Sequence, residues 1–352
     1  MLKLNSYSIT GDLYGWIKSF LSNRTQAVKL DGCLSSVIAI LSGVPQGSVL
    51  GPILFVLFIN DLVDCFKNLA VSTKLFADDL KLYTSYGLTD SSCDLTEALH
   101  RVTVWAKKWQ LTINSTKCNV LRIVNPRCKN KSDIVYDLNG SSLKVLSVVK
   151  DLGVAVDKNL RFDNHISSVV HKSLQRANLI LKCFQSRDRS LLMKAFKVYV
   201  RPLLEYATPV WSPHFMYLIL KIEHVQRSFT KRLFGLKNLT YIDRLKQLEI
   251  DTLEHRRLIY DLCTCFKIIH GYNDTCLDMN RMHLEGRPNN TRGHNLKLAK
   301  EMCRTDMLRF FFCNRICTVW NSLPLDVVNA PSVNSFKKRV SKFNLDRFLT
   351  LK

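Results

Sequence analysis

Two short alternating segments separated by a pair of acidic residues set the tightest constraint on how this chain can fold. Ser72-Thr73-Lys74-Leu75-Phe76 runs into Ala77-Asp78-Asp79, and Leu80-Lys81-Leu82-Tyr83 runs out. The apolar and polar alternation on both sides has the period of a half-buried strand. Strands joined by so short a connection fold back antiparallel, which puts Asp78 and Asp79 at a hairpin tip. Adjacent carboxylates repel, and each loses hydration beside an apolar strand, so the pair calls for a compensating charge. A divalent cation supplies one: Mg²⁺ (or Mn²⁺) takes oxygen ligands from one or two carboxylates and from substrate phosphates. An Asp-rich surface turn produces the same dipeptide, so Asp78-Asp79 alone leaves both readings open.

The segments around the hairpin read in order. Leu13, Trp16, Ile17, Phe20 and Leu21 have helical spacing. Thr25 to Leu30 alternates, Asp31-Gly32 is a type I′ turn signal, and Ser36 to Leu41 can return as the partner strand. Ser42-Gly43-Val44-Pro45-Gln46-Gly47-Ser48 is a loop that opens into an apolar helix, Val49 to Leu62. After the hairpin, Leu95 to Trp109 is amphipathic, and Leu111-Thr112-Ile113 and Val120 to Ile123 look like short strands flanking Asn114-Ser115-Thr116-Lys117. Ile134 to Val156 is strand-rich, with Asn139-Gly140 as a turn. From Asp163 the period becomes helical, with Ile166, Val169, Val170, Ser173, Ala177, Ile180, Leu181 and Phe184 on one stripe. His171, Lys172, Gln175, Arg176 and Lys182 fall mostly off it. Further helices are expected over Leu191–Tyr206, Tyr217–Leu236 and Leu253–His270. A linker is expected at Glu285 to Asn290, and a helical tail from Cys303 to Leu349 interrupted at Pro324 and Pro331. Only 13 Gly and 9 Pro in 352 residues leave room for long helices, and no internal repeat is evident.

Charge divides the chain. Residues 1–125 carry 12 Lys and Arg against 9 Asp and Glu, and residues 126–352 carry the remaining 39 against 20. Such an excess suggests a polyanionic partner for the second part, with a solvated basic surface as the plain alternative. The start, Met1 to Ser6, lacks an apolar export core, so the 12 Cys are expected to be reduced thiols in the nucleus or cytoplasm of a protein that is not secreted. Cys263-Thr264-Cys265 and Cys313 with Cys317 come nearest to metal spacing, yet no CxxC pair or suitably spaced His accompanies them. They read as helical core cysteines. The longest apolar run, Val49 to Ile59, is too short to span a bilayer, so no membrane partner is expected.

Taken together, the ordered blocks resemble the reverse transcriptases of non-LTR retrotransposons, the LINE-like elements of jockey and chicken-repeat type. Ser42 to Pro52 is similar to that family's block B, Phe76-Ala77-Asp78-Asp79 to its block C, and Trp109 to Cys118 to block D. Ile59-Asn60-Asp61-Leu62 lies between B and C as in the family, and Asp151-Leu152-Gly153-Val154 through His165 resembles block E, the primer grip. Tyr199 to Ala207, Val225 to Lys231 and Val319 to Pro324 are also family-like, so the likeness covers nearly the whole chain. The implied fold class is α+β: a partial right-hand polymerase palm over residues 1–160, a helical thumb over 161–235 and a basic helical region over 236–352.

The resemblance implies RNA-directed DNA polymerisation by two-metal nucleotidyl transfer, with RNA template, DNA primer and deoxynucleoside triphosphates as partners. Asp78 would be the principal metal ligand and Asp79 its supporting carboxylate. Pro45, Gln46 and Gly47 would form the turn that template and nucleotide approach, with Phe76 beside the acidic tip. Lys117 would sit near the leaving pyrophosphate, Gly153 would help hold the primer end, and Lys172 and Arg176 would face nucleic acid from the thumb. One departure matters. A two-metal site needs carboxylates from two strands, and the family's block A Asp has no counterpart here; Asp12 is explained by a helix start and Asp31 by its turn. The chain reads as beginning downstream of block A, as from a degraded copy or a truncated gene, so that alone it is expected to be inactive and to fold poorly in its N-terminal part. The rival class is a non-catalytic RNA- or DNA-binding protein using residues 126–352; an intron maturase or telomerase-like polymerase fits the motifs less well.

Overall fold

The computed structural model describes residues 1–85, 92–123, 134–272 and 294–351, and the chain divides into two compact units. The first comprises residues 1–120 with 129–145, the second 121–128 with 146–352. The linker expected at Glu285 to Asn290 lies outside the described residues. Helices and strands are mixed, and every sheet among the described residues is two-stranded.

In the first unit the helix Leu50–Ile59 is apolar on all sides, as its LGPILFVLFI sequence requires, and is therefore packed on more than one face. Leu54, with Leu50 and Leu57, joins Leu4 and Ile17 from the helices Leu2–Ser6 and Gly11–Leu21. Phe55, Phe58 and Ile59 join Leu62, Phe66, Ala98, Val102, Trp105 and Ala106 in a second cluster. The expected end of this helix at Leu62 is shifted: a tighter 3₁₀ segment, Asn60–Phe66, takes over after Ile59. Helix Ser92–Lys108 matches the stripe read from Leu95 to Trp109.

The Asp31-Gly32 hairpin forms, with positive φ at both turn residues (47° and 85°), the signature of the type I′ turn. Its ladder is broken once. Lys29 pairs with Leu34, but Gln26 pairs with Ile38, so the returning strand holds one extra residue, a β-bulge bridged by the Val28 N–H donating to Ser35 Oγ. Asn139-Gly140 turns in the same way between Asp137–Leu138 and Ser141–Ser142. The strand expected at Leu111-Thr112-Ile113 does not form. Gln110, at φ 56°, reverses the chain after the helix, the Leu111 N–H bonds back to the Ala106 carbonyl, and Asn114 Oδ1 accepts from the Thr116 N–H to start a 3₁₀ turn at Ser115–Lys117. Two local capping devices leave too short a link for a ladder, and Leu111 and Ile113 pack as coil.

The second unit begins with the hairpin Val148–Asp151 and Val154–Asp157. Val154 packs with Phe162, Ile166 and Val170 of the helix Asp163–Cys183, whose buried face is the stripe read from the sequence. Helix Met216–Lys231 runs parallel to it, joined by bonds at a constant offset of 54 residues: Tyr217 to Asp163, Lys221 Nζ to Ser167 Oγ and Arg232 to Asn178. The stretch read as one helix from Leu191 to Tyr206 is an unbroken helical run, Arg189–Ala195, Phe196–Val200 and Arg201–Glu205, whose middle turn is a π-helix. Pro202 cannot donate its i→i−4 bond, and the wider turn accommodates the loss.

Helices Leu253–Ile269, Phe312–Trp320 and Val333–Val340 enclose a further core around Phe266, Ile316, Trp320 and Phe336. Cys263, Cys265, Cys313 and Cys317 lie in this core, as their helical spacing implied. Two polar links tie it to the earlier helices of the same unit. Arg256 and Tyr260 donate to Glu205, and Arg315 grips Asp261 at 2.9 and 3.0 Å while donating to the Pro209 carbonyl at 2.7 Å. No described helix is long and apolar enough to cross a membrane.

Candidate active site

The hairpin carrying Asp78 and Asp79 forms as read. Ser72–Phe76 pairs with Asp79–Tyr83, Phe76 opposite Asp79, leaving Ala77 and Asp78 as the turn. Alternation assigns the faces: Leu75, Leu80 and Leu82 pack on the Ile59, Leu62 and Phe66 cluster, and Phe76 and Asp79 share the opposite, open face. A two-stranded ribbon is marginal alone, and this one is held by a single packed face. Ala77 has φ 49°, a left-handed conformation that costs a residue with a Cβ about 1–2 kcal/mol. That strain sits at the turn that carries Asp78. Asp78, Asp79 and Phe76 are exposed, and neither carboxylate has a hydrogen bond or ion pair to another described residue.

The same apolar cluster fixes the segment leading to Lys117. Trp109, Leu111 and Ile113 pack on it beside Leu75 and Leu80, so the hairpin and the Trp109-to-Cys118 block are built on one core. Lys117 ends the 3₁₀ turn with its side chain exposed and unpaired among the described residues. The Pro45-Gln46-Gly47 turn is set by packing of its own: Ser48 Oγ donates to the Pro45 carbonyl at 2.8 Å and accepts from the Gly51 N–H at 2.9 Å. Gly51 is required there, since a Cβ would lie 2.7 Å from the Pro45 oxygen. Gln46 and Gly47 are exposed and Pro45 half-buried.

Three site residues read from the sequence lie in the second unit. Gly153 forms a hairpin turn with Leu152 at φ 89° and 41°. Lys172 and Arg176 project from the exposed side of the Asp163–Cys183 helix. Tyr206, which sequence reading did not single out, braces the turn: its hydroxyl donates to the Leu152 carbonyl at 2.8 Å, and its ring would lie 3.3 Å from a Cβ at position 153. The only signal for it was its place in the Pro202-to-Ala207 segment.

Lys3 is the other residue the sequence concealed. Its ammonium is buried, bonds Asp61 Oδ1 at 2.6 Å and the Phe58 carbonyl, and lies 4.4, 4.6 and 3.9 Å from the ring centres of Phe58, Trp105 and Trp109. Burial pulls its pKa below the ordinary lysine value, against the opposing pull of Asp61. Asp61 also accepts from Trp105 Nε1 at 3.1 Å, so this carboxylate is engaged structurally.

The donor set at the tip is thus two carboxylates on one ribbon, both without a partner among the described residues. Among the described residues no cluster of three or more His, Cys, Asp or Glu is placed to hold a metal. One or two carboxylates suit Mg²⁺ when waters and substrate phosphates complete its shell, so the tip fits one side of such a site.

Comparison with known proteins gives a consistent result. Residues 2–156 match the family described as "Reverse transcriptase (RNA-dependent DNA polymerase)". The chain is 33% identical over 238 residues to the RNA-directed DNA polymerase from mobile element jockey of Drosophila funebris, 64% of this chain and 25% of the relative. It is 31% identical over 216 residues to the probable RNA-directed DNA polymerase from transposon BS of Drosophila melanogaster, 56% of this chain and 23% of the relative. To the probable enzyme from transposon X-element of the same fly it is 26% identical over 63% of its length. The chain thus spans about a quarter of the length of these relatives.

Proposed function

From the match of residues 2–156 to the reverse transcriptase family we propose that this chain is the block B-to-E palm, thumb and basic C-terminal region of a non-LTR retrotransposon RNA-directed DNA polymerase. The observation that carries the reading is the acidic tip: two exposed carboxylates, unpartnered among the described residues, beside a strained turn whose ribbon shares its core with the segment that ends at Lys117. Asp78 would hold Mg²⁺ or Mn²⁺, with Asp79 in support. Metal bound there would supply positive charge to the attacking and leaving oxygens of nucleotidyl transfer. Lys117 supplies positive charge or a proton where pyrophosphate departs. Pro45, Gln46 and Gly47 give template and nucleotide a close approach to backbone, Phe76 flanks the tip, Gly153 supports the primer end, and Lys172 and Arg176 neutralise backbone phosphates.

We further infer that the 352 residues are catalytically incomplete on their own. The Ser72-to-Tyr83 ribbon has no third strand among the described residues, and an open edge is where a strand bearing the second carboxylate would pair. The test is primer extension on an RNA template with Mg²⁺, using the 352-residue chain alone and the same chain joined to an upstream block A segment taken from a relative. Synthesis by the joined form and none by the chain alone is expected. Robust synthesis by the chain alone would overturn the claim of incompleteness. A joined form that folds, binds primer–template and never extends it would overturn the polymerase reading.

A further inference from the structure

The turn that follows the Met216–Lys231 helix lies outside the acidic tip and the segments packed with it. Its backbone is pinned: the Leu233 N–H bonds the Thr230 carbonyl at 3.3 Å, the Leu236 N–H bonds the Leu233 carbonyl at 3.1 Å, and the side chains of Leu233 and Leu236 are 2% and 0% exposed in the core. Between these two anchors Phe234 is 75% exposed. A frayed terminus would expose an aromatic ring by accident, whereas this ring is held out by the turn that carries it.

The surroundings of the ring are cationic. Lys231, Arg232, Lys237 and Phe234 line a shallow depression of ≈ 450 Å³. Gly235, at φ 73°, lies so close to the Arg189 guanidinium that a side chain at 235 would strike it. Arg232 is held by Asn178, while Arg189, Lys231 and Lys237 have no ion pair with another described residue. No acidic residue occurs between Glu223 and Asp243. Asp188, next to Arg189, is occupied as a helix cap, accepting from the Leu191 N–H at 2.6 Å.

A pinned, exposed ring beside cations that have no ion pair with another described residue matches one kind of polymer. Single-stranded nucleic acid offers base faces for stacking and phosphates a few ångströms away, whereas a duplex keeps those faces inside its own stack. We propose that this turn is a contact site for single-stranded nucleic acid, Phe234 stacking on an unpaired base while Arg189, Lys231 and Lys237 meet the flanking phosphates. The assignment rests on the polymerase reading only for the class of polymer, and it is separate from the acidic tip.

The test is fluorescence anisotropy with the 352-residue chain and a labelled single-stranded oligouridine, beside a perfect duplex of equal length. Phe234→Ala and Phe234→Leu are expected to weaken single-strand binding about tenfold, Phe234→Trp to retain it, and the duplex affinity to change less than twofold. Arg189→Ala is expected to reduce the slope of log K against log salt by about 0.7. Asp78→Asn should leave all of these values unchanged, so failure of the catalytic reading leaves this result standing and the reverse. Because the ring is exposed, thermal melts of the variants should coincide with the parent. The proposal is overturned if Phe234→Ala and Phe234→Leu bind oligouridine as the parent does, or if they lose affinity equally for heparin, which has no bases. A change in sedimentation mass on Phe234→Ala with oligouridine affinity intact would also overturn it, assigning the ring to contact between copies of the chain.

Discussion

Replacing Lys3 by Met probes how the acidic hairpin and the Trp109-to-Cys118 block are held on one core. Met nearly conserves volume, so the change removes charge and hydrogen bonds with little cavity. The charge-assisted bond to Asp61 at 2.6 Å is worth about 1.5–3 kcal/mol. Contact with the faces of Phe58, Trp105 and Trp109 adds about 0.5–2 kcal/mol. Two effects reduce the loss. Met avoids the desolvation that pulls the Lys3 pKa down, and the Asp61 side chain, 36% exposed, can recruit water once its partner is gone. The net destabilisation is about 2 kcal/mol. At a typical urea dependence of about 2 kcal/mol per molar, the midpoint should fall by about 1 M. Urea titration at pH 7, followed by tryptophan emission, reads the change from within the cage, because Trp105 and Trp109 form two of its walls. A cycle with Asp61→Asn should return a coupling of about 1 kcal/mol. An unchanged midpoint for Lys3→Met, or strictly additive effects, would show that the Lys3–Asp61 pair does not hold this core together.

Other expectations concern the second unit. His165, His214 and His294 have pKa values lowered chiefly by burial, so they stay neutral in the fold while unfolded chain takes up protons below about 6.5. The stability they contribute is complete above that pH and is lost as pH falls through their folded values; thermal melts from pH 7.5 to 5 should show the decline, with a shallower slope in His165→Gln. Gly153→Ala forces a Cβ onto a residue at φ 89° beside the Tyr206 ring, and chemical denaturation should register a loss of about 1–2 kcal/mol. Tyr206→Phe removes one half-exposed hydrogen bond and should cost about 0.5–1 kcal/mol by the same measurement. Arg315→Met leaves the Asp261 side chain, 4% exposed, with its ion-pair partner gone; a loss of about 3–5 kcal/mol is expected, and Asp261→Asn in the same chain should restore part of it.

Features with a local physical cause were legible before the fold was known. Asp31-Gly32 and Asn139-Gly140 form their turns because those residues tolerate positive φ, and the Asp163–Cys183 stripe formed because burial selects helical spacing. The hairpin at Asp78 followed from alternation and the short connection. Leu111 to Ile113 misled because alternation over so few residues cannot be told from coil whose apolar side chains happen to pack, and the decisive bonds at Gln110 and Asn114 lie outside the alternating stretch. Lys3 and Tyr206 were invisible for another reason. Their roles depend on partners 58 and 54 residues away, and a lone Lys or Tyr in a helical segment carries no mark of where its head group ends. Phe234 looked like one more apolar residue of a helix predicted to run to Leu236, and the earlier stop at Lys231 is what turns its ring outward.

The most direct test of the central claim compares Asp78→Asn with the parent in the form joined to a block A segment, by single-turnover primer extension on RNA with Mg²⁺. Loss of a metal-holding carboxylate removes several kcal/mol of transition-state stabilisation. The expected rate is at least about a thousandfold lower at unchanged primer–template affinity, where a factor of ten corresponds to 1.36 kcal/mol. Extension by Asp78→Asn within a few fold of the parent would contradict the proposal that this hairpin tip holds the catalytic metal.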